Sequence, residues 1–174
     1  DLVNLAEEFF AHKDTFYKKS FLITGGTGFI GKWLIATLNE LNEISDYDIE
    51  LTILTRDKNK FLNSFKDEKG LNSIKFIESD IRDLDSINLS EYEFDYIILG
   101  ANDASYNFSL NPDLLLDTFI NGTKSLINNS VSSRTSKILH LSSGAVYGDI
   151  SHCSSGVKES DKAIFEISNV GSIY

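Results

Sequence analysis

The chain has 174 residues, enough for one domain that buries about 70% of the surface its unfolded form exposes. Apolar residues make up 41% of it, a share that argues against a disordered segment. Its net charge of −10 argues against a general nucleic-acid binder, because neutralising phosphates requires a basic face.

The cysteine, histidine and hydropathy patterns bear on cellular location, membrane association and metal binding. Cys153 is the one cysteine, so an internal disulfide is impossible, and without a secretory segment at its start the chain is expected in the cytoplasm. No apolar run approaches the roughly 18 residues of a spanning helix, so no membrane association is expected. The three histidines do not combine with cysteine or acidic residues at a metal-binding spacing, so no metal site is predicted.

Strand-like and helix-like segments alternate along the chain. An amphipathic helix is predicted over residues 1–14. Short apolar runs predict five strands, at residues 21–24, 50–55, 74–77, 94–99 and 137–142. Helices are predicted between them, at residues 29–42, around residues 61–65 and at residues 112–131. From residue 144 onward the pattern is that of a loop with some helix.

The helix predicted from residue 112 has the most clearly marked start. Asn111 stands at the cap position, Pro112 at the first helical position and Asp113 in the first turn. Short strands separated by helices predict parallel pairing, because parallel neighbours need long crossovers. The expected fold is therefore α/β, a doubly wound, Rossmann-like parallel sheet with helices on both faces, incomplete at its C-terminal end.

A glycine-rich turn lies between the first predicted strand and the next helix, Gly25-Gly26-Thr27-Gly28-Phe29-Ile30-Gly31. In this position Gly25 allows a sharp turn, Gly28 leaves room for a pyrophosphate, and Gly31 lets the helix pack closely on the sheet. The amides of the first helical turn and the helix dipole attract phosphate groups. The turn therefore predicts a dinucleotide site; the alternative is a tight strand–helix connection without a ligand.

The end of the second strand bears on the choice between NAD and NADP. NAD enzymes usually present an acid there to the ribose hydroxyls, whereas an arginine suits a 2′-phosphate. Here Thr55 is followed by Arg56, which favours NADP. Asp57 is close enough to keep NAD open, and Arg56 could also be a solvated loop charge.

Further motifs follow the later strands in a fixed order. They are Asp80-Ile81-Arg82-Asp83, then Gly100-Ala101, then Asn121-Gly122-Thr123 in the long helix, and last Leu141-Ser142-Ser143-Gly144-Ala145-Val146-Tyr147-Gly148. Together with the glycine turn they cover residues 20 to 148. With these motifs the chain resembles the extended short-chain dehydrogenase/reductases, the NAD-dependent epimerase/dehydratase family that acts on nucleotide sugars.

The resemblance implies roles in cofactor binding. Asp80 and Ile81 would line the adenine pocket, with Asp80 accepting from the adenine amino group. The main chain at Gly100 and Ala101 would run along the cofactor, and Asn121 would bond main-chain groups near the active-site strands. The alternatives are that Asp80 is a helix cap or solvated acid and Asn121 a polar helix residue.

The resemblance also implies two catalytic positions. Ser143 matches the serine or threonine whose hydroxyl hydrogen-bonds the reacting substrate oxygen, although a serine at a strand end is often only a turn residue. Tyr147 belongs to the motif but does not match the catalytic tyrosine, which is followed four residues later by a lysine. Tyr174 is the candidate for that role, with the lysine falling at position 178, beyond this chain; the alternative is a terminal aromatic residue without a role.

The function implied is that of an NAD(P)-dependent oxidoreductase or isomerase with a nucleotide-sugar substrate. Dehydratases of the family usually carry an acid directly after the serine, whereas this chain has Gly144 and Ala145, which favours an epimerase or 4-keto-sugar reductase. The expected division is a helical extension at residues 1–19 and a dinucleotide-binding domain at residues 20–174, with the C-terminal substrate domain missing. Alone, this fragment is expected to be inactive.

Two other interpretations stay open. The chain could be a non-catalytic NAD(P)-sensing domain that uses the same glycine turn, and the sequence beyond Tyr174 would separate that interpretation from an enzyme. It could also be an assembly subunit that associates through its N-terminal helix, although that helix is expected to pack on its own domain. The resemblance also allows a homodimer of the full-length form.

Overall fold

Five parallel strands form one sheet in the part of the chain that the structure describes, with the spatial order β3-β2-β1-β4-β5. The structure is a computed structural model, and it describes residues 12–63, 65, 73–84, 87–101, 111–132, 134–150 and 156–161. The strands are β1 Ser20–Thr24, β2 Glu50–Thr55, β3 Lys75–Glu78, β4 Tyr96–Leu99 and β5 Lys137–His140.

All five predicted strands are present, and several of their predicted ends were wrong. β4 begins at Tyr96 rather than at residue 94, and β5 ends at His140 rather than at residue 142. The register explains the second difference, because the last pair of these two strands joins Leu99 to His140. Beyond that pair, β5 has no residue of β4 to bond. The parallel pairing and the doubly wound order confirm the predicted fold class.

The helices also follow the predicted pattern, with bounds α1 Lys13–Phe16, α2 Phe29–Ser45, α3 Lys58–Asn63, α4 Pro112–Leu116 and α5 Thr123–Ser130. Most of the helix predicted over residues 1–14 lies outside the described residues. α2 runs three residues further than predicted, and the side chain of Asn42 bonds both the amide and the carbonyl of Ile49 at 2.8 Å. These two bonds fix the end of α2 against the start of β2.

Between α4 and α5 the chain makes a wider, π-helical turn at Asp117–Gly122, which the sequence pattern did not predict. The three segments follow one another without a break, over residues 112–130, and are called the long helix below. Its start is as predicted, because the side-chain oxygen of Asn111 accepts from the amide of Leu114 at 3.2 Å.

Two apolar cores lie on opposite faces of the sheet. Alternate residues of β1 divide between them, since Phe21 and Ile23 face one core and Leu22 the other. The first core contains the buried face of α2, and the second contains residues of β4 and of the long helix. This division confirms that helices cover both faces.

The N-terminal segment packs on this sheet. The ring of Phe16 lies 6.2 Å from those of both Phe21 and Tyr96, and the Tyr96 hydroxyl donates to the carbonyl of Thr15 at 2.9 Å. The end of the predicted helical extension therefore contacts its own domain.

Asp95 gathers polar partners at the amino ends of the strands. Its side chain is 6% exposed, and its carboxylate accepts from the Ser20 amide at 2.9 Å, from Arg134 Nη2 at 2.9 Å and from Lys19 Nζ at 3.2 Å. Burial alone would raise the pKa of this carboxyl group, but these hydrogen bonds outweigh it and lower the pKa to about 2. The ionised carboxylate ties together the starts of β1, β4 and β5.

The chain forms two compact units, Asp1–His140 and Leu141–Tyr174. In the second unit the described residues include a short 3₁₀ helix, Gly144–Tyr147, and a turn in which the amide of Lys158 donates to Asp161 at 2.8 Å. Among the residues that the structure describes, no helix combines the length and apolar character needed to span a membrane.

Candidate functional site

A cavity of about 290 Å³ opens at the carboxyl ends of the strands in the first unit. The strand order reverses between β1 and β4, and residues that follow both strands line the cavity. Open α/β sheets bind ligands in the crevice at this reversal. The cavity is lined by residues 25–28, 54–56, 60, 79–82, 100–101 and 118.

The glycine turn shapes one wall of the cavity. Gly25 has a φ of +72°, and a Cβ atom on it would collide with the carbonyl oxygen of Gly100 at the end of β4. A Cβ atom on Gly31 would collide with the carbonyl oxygen of Gly25, so the first turn of α2 can lie directly against the turn. The geometry shows the sharp turn predicted for Gly25, and at Gly31 the close contact is with the glycine turn itself.

Gly28 directly precedes α2 and faces the cavity. Its own amide donates to the Gly25 carbonyl at 3.0 Å, and no side chain caps the helix at this residue. The first-turn amides of a helix lack partners within the helix, so an uncapped start favours an anion. Phe29 and Ile30, also predicted as cofactor-binding, follow in the first turn with side chains 80% and 57% exposed, and neither they nor Gly31 line the cavity.

Thr24 ties the glycine turn to the neighbouring strand. Its hydroxyl oxygen accepts from the amides of Gly100 and Ala101, both at 3.0 Å, and the hydroxyl lies 3.4 Å from the carbonyl oxygen of Ile98. The sequence-based prediction assigned no role to this buried side chain. The sequence did carry a signal for such a role, because Thr24 is a hydroxyl residue that ends an apolar strand directly before the glycines.

Two cations that follow β2 line the cavity, Arg56 directly after the strand and Lys60 on α3. Within the part of the chain that the structure describes, neither side chain forms an ion pair. Asp57, by contrast, is not among the residues that line the cavity; its carboxylate accepts from the Lys60 amide at 2.8 Å and caps α3. Glu78 accepts from the Lys58 amide at 3.1 Å at the same helix start.

Asp80 and Arg82 form a two-pronged ion pair on the wall of the cavity. Arg82 donates from Nε at 2.9 Å and from Nη2 at 2.7 Å, one bond to each carboxylate oxygen, and its amide donates to the first oxygen at 2.9 Å. The hydrogen bonds from Arg82 hold the pKa of Asp80 below its ordinary value and outweigh the upward effect of burial. The charge of Arg56 also lowers this pKa. Asp80 therefore lines the cavity in its ionised form.

Apolar and small residues complete the cavity wall. Ile81, 8% exposed, lies between the two members of that ion pair, and Gly100 and Ala101 follow β4 as predicted. Thr118, from the π-helical turn, also lines the cavity, and its hydroxyl donates to the Leu114 carbonyl at 2.9 Å. The sequence did not predict Thr118 or Lys60 as cavity residues. Which side of its helix each residue occupies depends on the exact course of α3 and of the π-helical turn.

Asn121 is exposed in the long helix, and its amide donates to Asp117 at 2.8 Å. The bond runs within its own helix, so the expected bonds from Asn121 to main-chain groups stay a prediction.

The two predicted catalytic residues belong to the second unit. Ser143 directly precedes the helix Gly144–Tyr147, with its carbonyl accepting from Val146 at 3.2 Å, and Tyr174 lies outside the described residues.

Sheet order, glycine turn and cavity together define a Rossmann-type α/β protein with a candidate nucleotide site. The sequence pattern of the NAD dependent epimerase/dehydratase family matches residues 21–166. This chain belongs to that family. The family resemblance drawn from the sequence motifs is thereby confirmed.

One relative agrees with this assignment, and solved structures show the same fold. The probable dTDP-glucose 4,6-dehydratase of Sinorhizobium fredii (strain NBRC 101917 / NGR234) is 32% identical over a match that covers 74% of this chain and 39% of that protein. The UDP-Glc/GlcNAc 4-epimerase from Campylobacter jejuni superposes with a TM-score of 0.66 at 23% identity, over 88% of this chain and 45% of that one.

A second solved structure is the UDP-glucose-4-epimerase from Stenotrophomonas maltophila, with bound NAD and formylated UDP-arabinopyranose. Its TM-score is 0.63 at 22% identity, over 84% of this chain and 43% of that chain. At these identities the two epimerases show the fold. The chain spans less than half the length of each of the three proteins.

Proposed function

We propose that this chain is the dinucleotide-binding part of an NADP-dependent enzyme that acts on a nucleotide sugar, as an epimerase or a 4-keto-sugar reductase. One observation carries the proposal: the cavity at the strand reversal is bounded by a glycine turn and an uncapped helix start. That combination suits the diphosphate of a dinucleotide, because the first amides of α2 are available as donors and no side chain at Gly28 blocks them.

The choice of NADP is supported by the charges that follow β2. Arg56 and Lys60 both line the cavity, whereas the carboxylate of Asp57 is engaged with the start of α3. A 2′-phosphate needs cationic donors, and a 2′-hydroxyl is usually recognised by an acid that accepts from it. Two cations within the cavity wall therefore favour the phosphorylated cofactor.

The adenine side is assigned to Asp80 and Ile81. Each carboxylate oxygen can accept more than one hydrogen bond, so Asp80 can bond an adenine amino group while it holds Arg82. Ile81 offers an apolar surface beside it. The Asp80–Arg82 pair keeps the carboxylate in a fixed, ionised form for that contact.

Catalysis is assigned to Ser143 and Tyr174, in the second unit. When bound, the nicotinamide ring would supply the hydride-transfer chemistry. The Ser143 hydroxyl would hydrogen-bond the reacting sugar oxygen, and the phenol oxygen of Tyr174 would take or return its proton. A free phenol has a pKa near about 10, so this role needs a neighbouring cation, which the family resemblance places four residues after Tyr174.

An epimerase or reductase is favoured over a dehydratase because Gly144 and Ala145 stand where the family's dehydratases usually carry an acid. The Sinorhizobium relative, named as a probable dehydratase, supports the other outcome. Product analysis separates them. The complete gene product that carries this sequence should convert a UDP- or dTDP-hexose to its epimer, or should reduce a nucleotide-linked 4-keto sugar with NADPH as the hydride donor. Loss of water from the hexose would contradict the proposal.

Cofactor choice is tested by titrating the same protein with NADP⁺ and NAD⁺. Removal of a charged hydrogen-bond donor should weaken NADP⁺ binding about tenfold or more in R56A and in K60A, and should change NAD⁺ binding by less than about threefold. K58A is the matched control, because Lys58 has the same charge and lies on α3 but does not line the cavity.

Three outcomes bear on the proposal. Equal losses for both cofactors in R56A would contradict the preference for NADP, and no binding of either cofactor would contradict the dinucleotide site itself. Tight binding without turnover of any nucleotide sugar would favour a sensing domain. A homodimer and a cytoplasmic location, both drawn from the sequence, stay predictions.

A further inference from the structure

Gly122 is a buried glycine within the long helix, at the end of its π-helical turn. A Cβ atom on Gly122 would lie 3.0 Å from Cγ2 of Ile81 and 3.5 Å from the carbonyl carbon of the same residue. A glycine inside a helix is less favourable than an alanine, because its backbone loses more freedom on folding. The glycine therefore allows the helix to lie closer to its neighbour than an alanine would. That neighbour is Ile81, which lines the cavity.

Ile81 has little room to move away from the helix. It is β-branched, which restricts its first side-chain torsion, and it is only 8% exposed. On either side of it, Asp80 and Arg82 are joined by three hydrogen bonds. A push on its Cγ2 methyl group therefore moves the segment that carries both the apolar wall and the carboxylate.

The long helix faces the cavity at the same point. Thr118, one turn before Gly122, lines the cavity together with Ile81. Gly122 lies against Ile81, and Thr118 lines the same cavity as Ile81, so this turn of the helix adjoins that segment. The distance between helix and segment then decides how far Ile81 extends into the cavity.

We infer that Gly122 is a positioning residue for adenosine recognition: because it lacks a side chain, the long helix seats Ile81 at the depth that the adenine side of the cavity requires. The inference rests on the proposed function, in which Asp80 and Ile81 receive the adenine. It assigns Gly122 an effect on affinity that acts through Ile81 and not through contact with the ligand.

The test measures G122A by calorimetric titration with NADP⁺ and with 2′,5′-ADP, in the complete gene product that carries this sequence. Both ligands should bind about tenfold more weakly, as for a misfit of one methyl group in a binding pocket. The melting temperature should not fall in parallel, because alanine favours the helix. N128A is the control: Asn128 is exposed on α5, and its replacement also favours the helix but should leave both affinities unchanged.

A double-mutant cycle keeps the inference testable if G122A alone folds poorly. I81A removes the methyl group that the new Cβ would meet, so I81A/G122A should bind both ligands as I81A does, within about twofold. The inference is overturned if G122A binds both ligands as tightly as the wild type, or if its loss persists in the I81A background. Failure of the wild type to bind either ligand would overturn the proposed function as well.

Discussion

The hydroxyl oxygen of Thr24 accepts a hydrogen bond from the amide of Gly100 at 3.0 Å, and so joins the end of β1 to the end of β4. The next amide, that of Ala101, bonds the same oxygen at the same distance. Thr24 is 1% exposed, so its hydroxyl group is shielded from bulk solvent. One side chain thus holds together the two strands between which the sheet order reverses.

Replacing Thr24 with valine should destabilise the fold by about 1–3 kcal/mol, because two partly buried amides lose their acceptor while the shape of the side chain is kept. NADP⁺ affinity should also fall, since both amides lie beside the cavity. T24S, which retains the hydroxyl, is the control for denaturant unfolding and titration. Equal stability of T24V and T24S would show that these bonds contribute little.

Asp57 offers a test that separates a helix cap from a cofactor contact. D57A should lower the free energy of unfolding by about 1 kcal/mol, because the Lys60 amide loses its partner at the start of α3. NAD⁺ and NADP⁺ affinities should change by less than about twofold, and D57N, which can still cap, should resemble the wild type. A selective loss of NAD⁺ binding in D57A would instead identify Asp57 as a ligand of the ribose.

The sequence predicted the elements whose signals are local. The five apolar runs became strands, the glycine turn opened α2, and Asn111 capped the long helix as expected. Each of these depends on residues within a few positions of one another. The doubly wound type of sheet could also be predicted, because alternating strands and helices leave few arrangements of a parallel sheet.

Contacts between distant segments could not be anticipated in the same way. The partners of Thr24 lie 76 and 77 residues away, and the pairing of Arg134 with Asp95 spans 39 residues. Thr118 reaches the cavity on a π-helical turn that a regular helical pattern does not indicate. Local acids were also ambiguous: Asp57 was kept open as a ligand of the ribose, whereas in the structure its carboxylate caps α3.

The buried carboxylate of Asp95 predicts a dependence of stability on acid pH. Its folded pKa of about 2 is below its ordinary value of 3.8, so the folded state binds this proton less tightly than the unfolded state. The stabilisation is complete above pH 3.8 and is lost as the pH falls from 3.8 towards 2. The difference corresponds to about 2 kcal/mol.

The measurement compares denaturant unfolding of the wild type and D95N from pH 7 to pH 2. D95N should be less stable at pH 7 by about 2–4 kcal/mol, because Arg134 and Lys19 lose their charged partner, and the gap should narrow below pH 3.8. E93Q is the control: Glu93 is 63% exposed and lies 3.7 Å from Arg134, so its loss should cost under about 1 kcal/mol. A gap that stays constant with pH would contradict the assignment.

Two glycines of the same turn should respond in opposite ways to an added methyl group. In G31A the new Cβ would collide with the Gly25 carbonyl oxygen and lie 2.8 Å from Cα of Gly26, so backbone must shift and the fold should lose about 1–3 kcal/mol. In G28A the nearest atom is the Gly25 carbonyl oxygen at 3.3 Å, and the φ of −74° suits any residue.

G28A should therefore keep its melting temperature within a few degrees of the wild type, while its methyl group projects beside the space proposed for the diphosphate. NADP⁺ affinity should fall about tenfold or more, and inorganic pyrophosphate should compete less well. G31A should instead lose stability, and at a temperature where it is still folded it should keep more affinity than G28A. If G28A binds NADP⁺ as tightly as the wild type, the diphosphate does not lie against this turn, because a methyl group there would occupy its place.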